Sequence, residues 1–173
     1  MAAGPVRLNL GCGDKVLDGY LNIDAVAIEG VKKPDLIHDL KEPLPFPDDH
    51  ADEILAVHIL EHFQYWEAPG YLRDWKRVLK PGGLLVLELP CLDKIIAAYC
   101  HALIDGKAPD PRRTIIGLFG DPTHQDPLMM HHWCYSAADL ASKLDMLGFV
   151  DIEHQAAMYH NPKRDMRFVA RKP

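Results

Sequence analysis

The chain has 173 residues, enough to bury one substantial core and too few for two, so a single domain over residues 1–173 is expected. Its 48% hydrophobic and 25% charged residues are ordinary for a globular protein, and a net charge of −6 argues against direct nucleic-acid binding while leaving room for a small anionic ligand held by local arginines. No apolar run is long enough to span a bilayer, Met1 to Val6 lacks the regions of a secretory signal, and Cys12, Cys91, Cys100 and Cys134 form neither a disulfide framework nor a C-x-x-C pair; reduced thiols in a cytoplasmic protein are expected.

Pro5 to Leu10 is the first predicted strand and Tyr20 to Asp24 the second. Between them there is room for one helical turn at most, far short of the dozen or more residues of an ordinary parallel crossover. A turn at Gly30 to Pro34 leads to a short strand, Asp35 to His38. Three prolines make Glu42 to Asp49 a loop, and Glu53 to Val57 is a strand running into a helical turn at His58 to Phe63. Tyr71, Leu72, Trp75, Val78 and Leu79 mark the apolar face of a helix over Glu67 to Lys80, stopped by Pro81-Gly82-Gly83. Leu84 to Leu89 is almost continuously apolar, as a central strand covered on both faces should be. A helix follows from Asp93 to about Ile104, then Lys107 to Pro127, rich in proline and with little periodicity. Ser136, with Asp139 three residues on, opens a helix that buries Leu140, Leu144 and Leu147 and ends at Gly148. Phe149 to Ala156 and Met166 to Arg171 close the chain as two strands. Their short connection, turning at Asn161-Pro162, requires an antiparallel pair. Alternating strands and helices predict an α/β fold on a mostly parallel sheet.

Gly11 and Gly13 lack a Cβ, so the backbone after the first strand can approach a ligand closely. Asp24 ends the second strand, where a carboxylate accepts hydrogen bonds from two ribose hydroxyls. A dinucleotide site would want a third glycine and a real helix to meet the pyrophosphate; Val16 and the missing helix disfavour it.

Several stretches together resemble the class I S-adenosylmethionine-dependent methyltransferases, of the small type 11-like kind. These are Leu10-Gly11-Cys12-Gly13, Leu44 to Asp49 with Asp52-Glu53-Ile54, Leu60-Glu61-His62, Arg73 to Gly83, and Ala138-Asp139-Leu140 through Phe149, in the right order from about Val6 to Arg171. The resemblance implies a Rossmann-like, mostly parallel seven-stranded sheet with an antiparallel last strand, here with a shortened first crossover helix. It implies S-adenosylmethionine as cofactor, held by Asn9, Gly11, Cys12, Gly13, Asp24, Asp39, Leu40 and His58. Lys15 replaces the third glycine often found in the first motif.

Methyl transfer from a sulfonium is an in-line displacement that needs a base only when the acceptor must lose a proton. Among ten histidines, His131 and His132 are the candidate bases, with lining of the pocket as their alternative role. His62, His124, Trp133 and Tyr135 are candidate substrate contacts, with the 107–133 loop as a lid. Glu61-His62 reads as a pair that supports the site. Arg112 and Arg113 read either as an anion clamp or as a solvated pair. His124, Asp126, His131, His132 and Cys134 match no common zinc spacing, so no metal is expected. The expected partner is a small-molecule acceptor for oxygen or nitrogen methylation, with an oligomer or partner subunit in reserve. Two other readings stand beside this one: a catalytically silent cofactor-binding subunit, and a nicotinamide-dependent oxidoreductase.

Overall fold

The computed structural model describes residues 4–173. Seven strands form one sheet: β1 (Arg7–Leu10), β2 (Leu21–Asp24), β3 (Leu36–Ile37), β4 (Ala51–Val57), β5 (Leu79–Pro90), β6 (Val150–Ala156) and β7 (Asp165–Arg171), in the order β3-β2-β1-β4-β5-β7-β6. Neighbours from β3 to β5 are parallel, and β7 runs antiparallel to both β5 and β6. The seven-stranded α/β sheet with its reversed seventh strand is the one expected. Leu8, Leu10, Ile54, Leu55, Leu85 and Leu87 are buried, as central strands covered on both faces require. Helix α1 (Ala68–Val78) covers one face with Leu72, Trp75 and Val78; α2 (Leu92–Ile104) buries Ile95.

The missing first crossover helix is replaced by side chains. Asn9 and Asn22 lie opposite each other on β1 and β2, and Asn9 Nδ2 donates to Asn22 Oδ1 and to the Lys15 carbonyl (both 2.9 Å). Asn22 Oδ1 also accepts from the Leu17 amide, while its Nδ2 donates to the Leu17 and Tyr20 carbonyls and to Asp35 Oδ2. Both asparagines are buried, so these bonds satisfy backbone groups that a helix would have paired internally. Asn22→Ala should therefore cost about 2–4 kcal/mol, read as a fall in the urea midpoint at constant m-value.

Three sequence expectations are corrected. Helix α1 ends at Val78, because Leu79 is already extended (φ −64°, ψ 140°) and pairs with Ala51. Pro81-Gly82-Gly83 then forms an irregularity at the start of β5, with Gly82 at φ 75° and no room beside Gly83, where a Cβ would meet the Lys80 carbonyl at 2.7 Å. The 107–133 segment is more ordered than its proline content suggests. It holds α3 (Ile115–Phe119) and three 3-10 turns, Pro111–Arg113, Pro122–His124 and Pro127–Met129. Each turn has an aspartate before the proline, and Asp110, Asp121 and Asp126 accept from the amides of Arg112, Thr123 and Leu128. The prolines thus open helical turns, where their missing N–H is harmless. Helix α4 (Ala137–Met146) is capped by Ser136 Oγ on the Asp139 amide, but the Asp139 carboxylate turns to the Tyr65 hydroxyl (3.0 Å), so the capping is one-sided.

Candidate functional site

Strand order reverses between β1 and β4, and the carboxyl ends of these strands open a crevice of the kind that binds ligands in α/β sheets. Gly11 and Gly13 follow β1 with φ of 62° and 50°. Gly11 is packed so closely that a Cβ would fall 1.8 Å from Ile59 Cδ1, whereas a Cβ on Gly13 would meet nothing within 4 Å. The first glycine seats the turn against Ile59, just past β4; the second leaves open space. Asp24 is half-buried at the end of β2, with Oδ2 accepting from the Gly13 amide (2.8 Å) and Oδ1 from Val26 (3.1 Å). Each carboxylate oxygen has a second lone pair, so the group is positioned and still able to accept.

The other predicted cofactor residues divide. Asn9 is buried and its amide is spent on Lys15 and Asn22, so it braces the turn from behind. Cys12 is buried, and burial, reinforced by the Asp24 charge, pushes its thiol up to about 11, so it is a packing residue rather than a nucleophile. Asp39 is exposed and accepts from the Lys41 amide; Leu40 is buried beside it.

His58 ends β4 in the left-handed region (φ 55°), unusual for a residue with a Cβ. Its ring bridges two buried carboxylates: Nδ1 lies 3.1 Å from Glu61 Oε1, and Nε2 lies 3.3 Å from Asp165 Oδ2. Burial opposes the imidazolium, but the Glu61 and Asp165 charges outweigh it and carry His58 up to about 9. Burial likewise works against the Glu61 carboxylate, and the His58 charge beside it holds it below the usual carboxylate range. Asp165 overcomes its burial through His58 and Arg164 and falls to about 2. Arg164 supplies two bonds to it, of 2.6 and 2.9 Å.

The segment after the 3-10 turns is fastened to the same place. The Glu61 carbonyl accepts from the amides of His132 (2.7 Å) and Trp133 (3.2 Å). His131 donates from Nδ1 to the Gly117 carbonyl (3.0 Å), and its ring meets His62 edge-on at 4.9 Å. Burial pushes His131 down, so its ring is neutral with Nε2 carrying the lone pair. His132 is exposed, and its Nδ1 accepts from Gln64 Nε2 (3.3 Å), which leaves the proton on Nε2. Of the two candidate bases, His131 is the one with a free lone pair at an outer ring nitrogen. His62 donates to the Met130 carbonyl, and Trp133 packs on Tyr65 at 4.4 Å.

Two substrate candidates are placed elsewhere. Tyr135 is fully buried in the core and pairs by its backbone with Cys91. His124 sits on an exposed 3-10 turn. A groove of about 460 Å³ lies along that segment, between Ile115, Phe119, Gly120, Pro127, Met129 and Met130, and the glycine turn takes no part in its walls. The Arg112 carbonyl accepts from Arg164, and its side chain is exposed. Sequence reasoning missed Asp165, Arg164 and Glu88. Glu88 had a signal, as the single acid in an apolar run; its carboxylate accepts from the consecutive amides of Met158, Tyr159 and His160.

Residues 8–87 match the family model described as a methyltransferase domain. None of the curated proteins matches the chain by sequence. Similar solved structures include a methyltransferase from Archaeoglobus fulgidus that depends on S-adenosylmethionine, at 18% identity and TM-score 0.67, covering 98% of this chain and 87% of that one. A Haloferax volcanii methyltransferase solved with the Trm112 methyltransferase activator aligns at 14% identity and TM-score 0.63, over 98% and 83% of the two chains. An S-adenosylmethionine-dependent methyltransferase from Mesorhizobium loti aligns at 15% identity and TM-score 0.57, over 97% and 91%. Asp24, with lone pairs to spare, and the open turn at Gly13 are chemically compatible with that cofactor, and no helix follows the turn to meet a pyrophosphate. Residues 8–87 thus carry the match to a methyltransferase domain, and the sheet order is that of the class I S-adenosylmethionine-dependent methyltransferase fold.

Proposed function

We propose that this chain, acting as one domain, transfers a methyl group from S-adenosylmethionine to an oxygen or nitrogen of a small or medium-sized acceptor. The observation that carries the reading is the joining of two halves at one point. The turn at Gly11–Gly13 packs on Ile59, and two residues on the Glu61 carbonyl accepts from the amides of His132 and Trp133, where the proposed 107–133 lid would end. Bound S-adenosylmethionine supplies a methyl group already activated by its sulfonium. Asp24 would accept the ribose hydroxyls, Gly13 would leave room for the methionine portion, and Asp39 with Leu40 would meet the adenine edge. His131 would take up the acceptor's proton at Nε2, where a proton must be lost, and Trp133 with His62 would help exclude water.

The test is turnover with labelled S-adenosylmethionine across a panel of small hydroxyl, amine and carboxylate acceptors. Methyl transfer to one class establishes the reaction. Cofactor binding without turnover across the panel overturns the stand-alone enzyme. The Haloferax volcanii methyltransferase was solved with an activator, so the silent-subunit reading predicts that a partner chain then restores turnover.

A further inference from the structure

Glu61 combines complete burial with incomplete pairing. It is 0% exposed, and among the described residues neither carboxylate oxygen has a well-aligned hydrogen-bond donor; its one close partner is the ion pair to His58 Nδ1 at 3.1 Å. A buried carboxylate left so poorly satisfied costs several kcal/mol unless something else meets it. His131 stands next to it with a ring nitrogen to spare. One donor atom each from His58, Glu61 and His131 lies within 4.8 Å of the others.

We propose that His58, Glu61 and His131 form a binding site for one divalent transition-metal ion of the zinc class. Two imidazoles and a carboxylate are a donor set that such ions take, and three protein ligands leave a coordination position open. Ligand bonds of about 2.0–2.2 Å need donors about 3.3 Å apart, so no pair has to close by more than about 1.5 Å.

The surrounding bonds already orient the ligands. His131 Nδ1 donates to the Gly117 carbonyl, which leaves Nε2 as its ligand atom. His58 Nε2 faces the Asp165 carboxylate, the carboxylate–histidine arrangement common behind metal ligands, and leaves Nδ1 to coordinate. The amides of His132 and Trp133 on the Glu61 carbonyl fix the spacing of Glu61 and His131 through the backbone. On binding, the ion takes the place of the His58 Nδ1 proton, which leaves to solvent, and the unpaired Glu61 oxygens gain a cation. The neighbouring group of His58, His160 and Asp165 is a poorer site. Its carboxylate is already saturated by Arg164 and the Asn161 amide, and the guanidinium would repel a second cation. This inference deepens the proposed function at one point: with the ion bound, the open position rather than the His131 lone pair receives the acceptor's oxygen.

Metal binding is measured without turnover. The full chain is stripped with a chelator, dialysed and titrated with Zn²⁺ and separately with Co²⁺, whose visible absorption reports coordination geometry. One ion per chain is expected, with a cobalt spectrum of low-symmetry, four- or five-coordinate type. His131→Ala and Glu61→Gln should each weaken binding at least tenfold. His101→Ala, on the exposed end of α2, should bind as the parent does, excluding capture by surface histidines. His131→Ala sits at the end of the loop segment, so it tests the site even if Glu61→Gln fails to fold. No uptake by the parent chain, or uptake unchanged in His131→Ala, overturns the site. Methyl transfer by the stripped chain would leave the proposed function standing and remove only the ion from it.

Discussion

Asp24→Ala should weaken S-adenosylmethionine binding by about 10²–10⁴-fold in a calorimetric titration. The direct loss is two hydrogen bonds from ribose hydroxyls to a charged acceptor, each worth about 1.5–3 kcal/mol, and about 1.4 kcal/mol is tenfold in affinity. An indirect loss adds to it. Asp24 Oδ2 holds the Gly13 amide, so alanine also frees that turn. Asp24→Asn keeps one carbonyl acceptor and the shape of the side chain, and should fall between the parent and alanine. Neighbouring Ile23 carries the core packing of β2, so the alanine variant should keep its far-ultraviolet circular dichroism. Affinity within threefold of the parent would take Asp24 out of the cofactor site.

Asp165→Ala should lower stability by about 3–5 kcal/mol, because its carboxylate compensates two cations inside the protein. For a chain of this size that is a fall in Tm of about 6–20 °C. Asp165 is 0% exposed and accepts from Arg164 twice, from the Asn161 amide and from His58. Water does not replace it. The double change Arg164→Ala with Asp165→Ala removes one orphaned charge and should recover part of the loss. Scanning calorimetry decides: equal Tm values for the parent and Asp165→Ala would mean that the pair adds nothing to stability.

The fold was legible because its signals are local. The apolar run of Leu84 to Leu89, the helical spacing of Tyr71 to Leu79 and the few residues between the last two strands each limit the geometry to one choice. The glycine turn and the placing of Asp24 at the end of the next strand were legible as local geometry for the same reason, since turn and acid are separated by one short strand. Asp165 was not, because it meets His58 across 107 positions of chain and nothing near it in sequence announces a partner. Tyr135 looked like a substrate contact because it follows Trp133, but it forms a backbone bridge with Cys91 and is buried. The Asp-Pro turns were hidden by the habit of reading proline as loop; only the aspartate before each proline says that a helical turn begins.

The clamp of Asn9, Asn22 and Asp35 also bears on the order in which the chain folds. β1 and β2 meet with only thirteen positions between the paired asparagines, while Glu88 reaches seventy positions or more to the amides of Met158 to His160. Short loops close at lower entropic cost than long ones, and local pairings form sooner. The β1–β2 end of the sheet therefore assembles from contacts close in sequence, and the β5–β7 side that encloses His58 joins it afterwards. In pulse-labelling hydrogen exchange, the amides of Leu21 to Ile23 gain protection before those of Phe168 to Ala170.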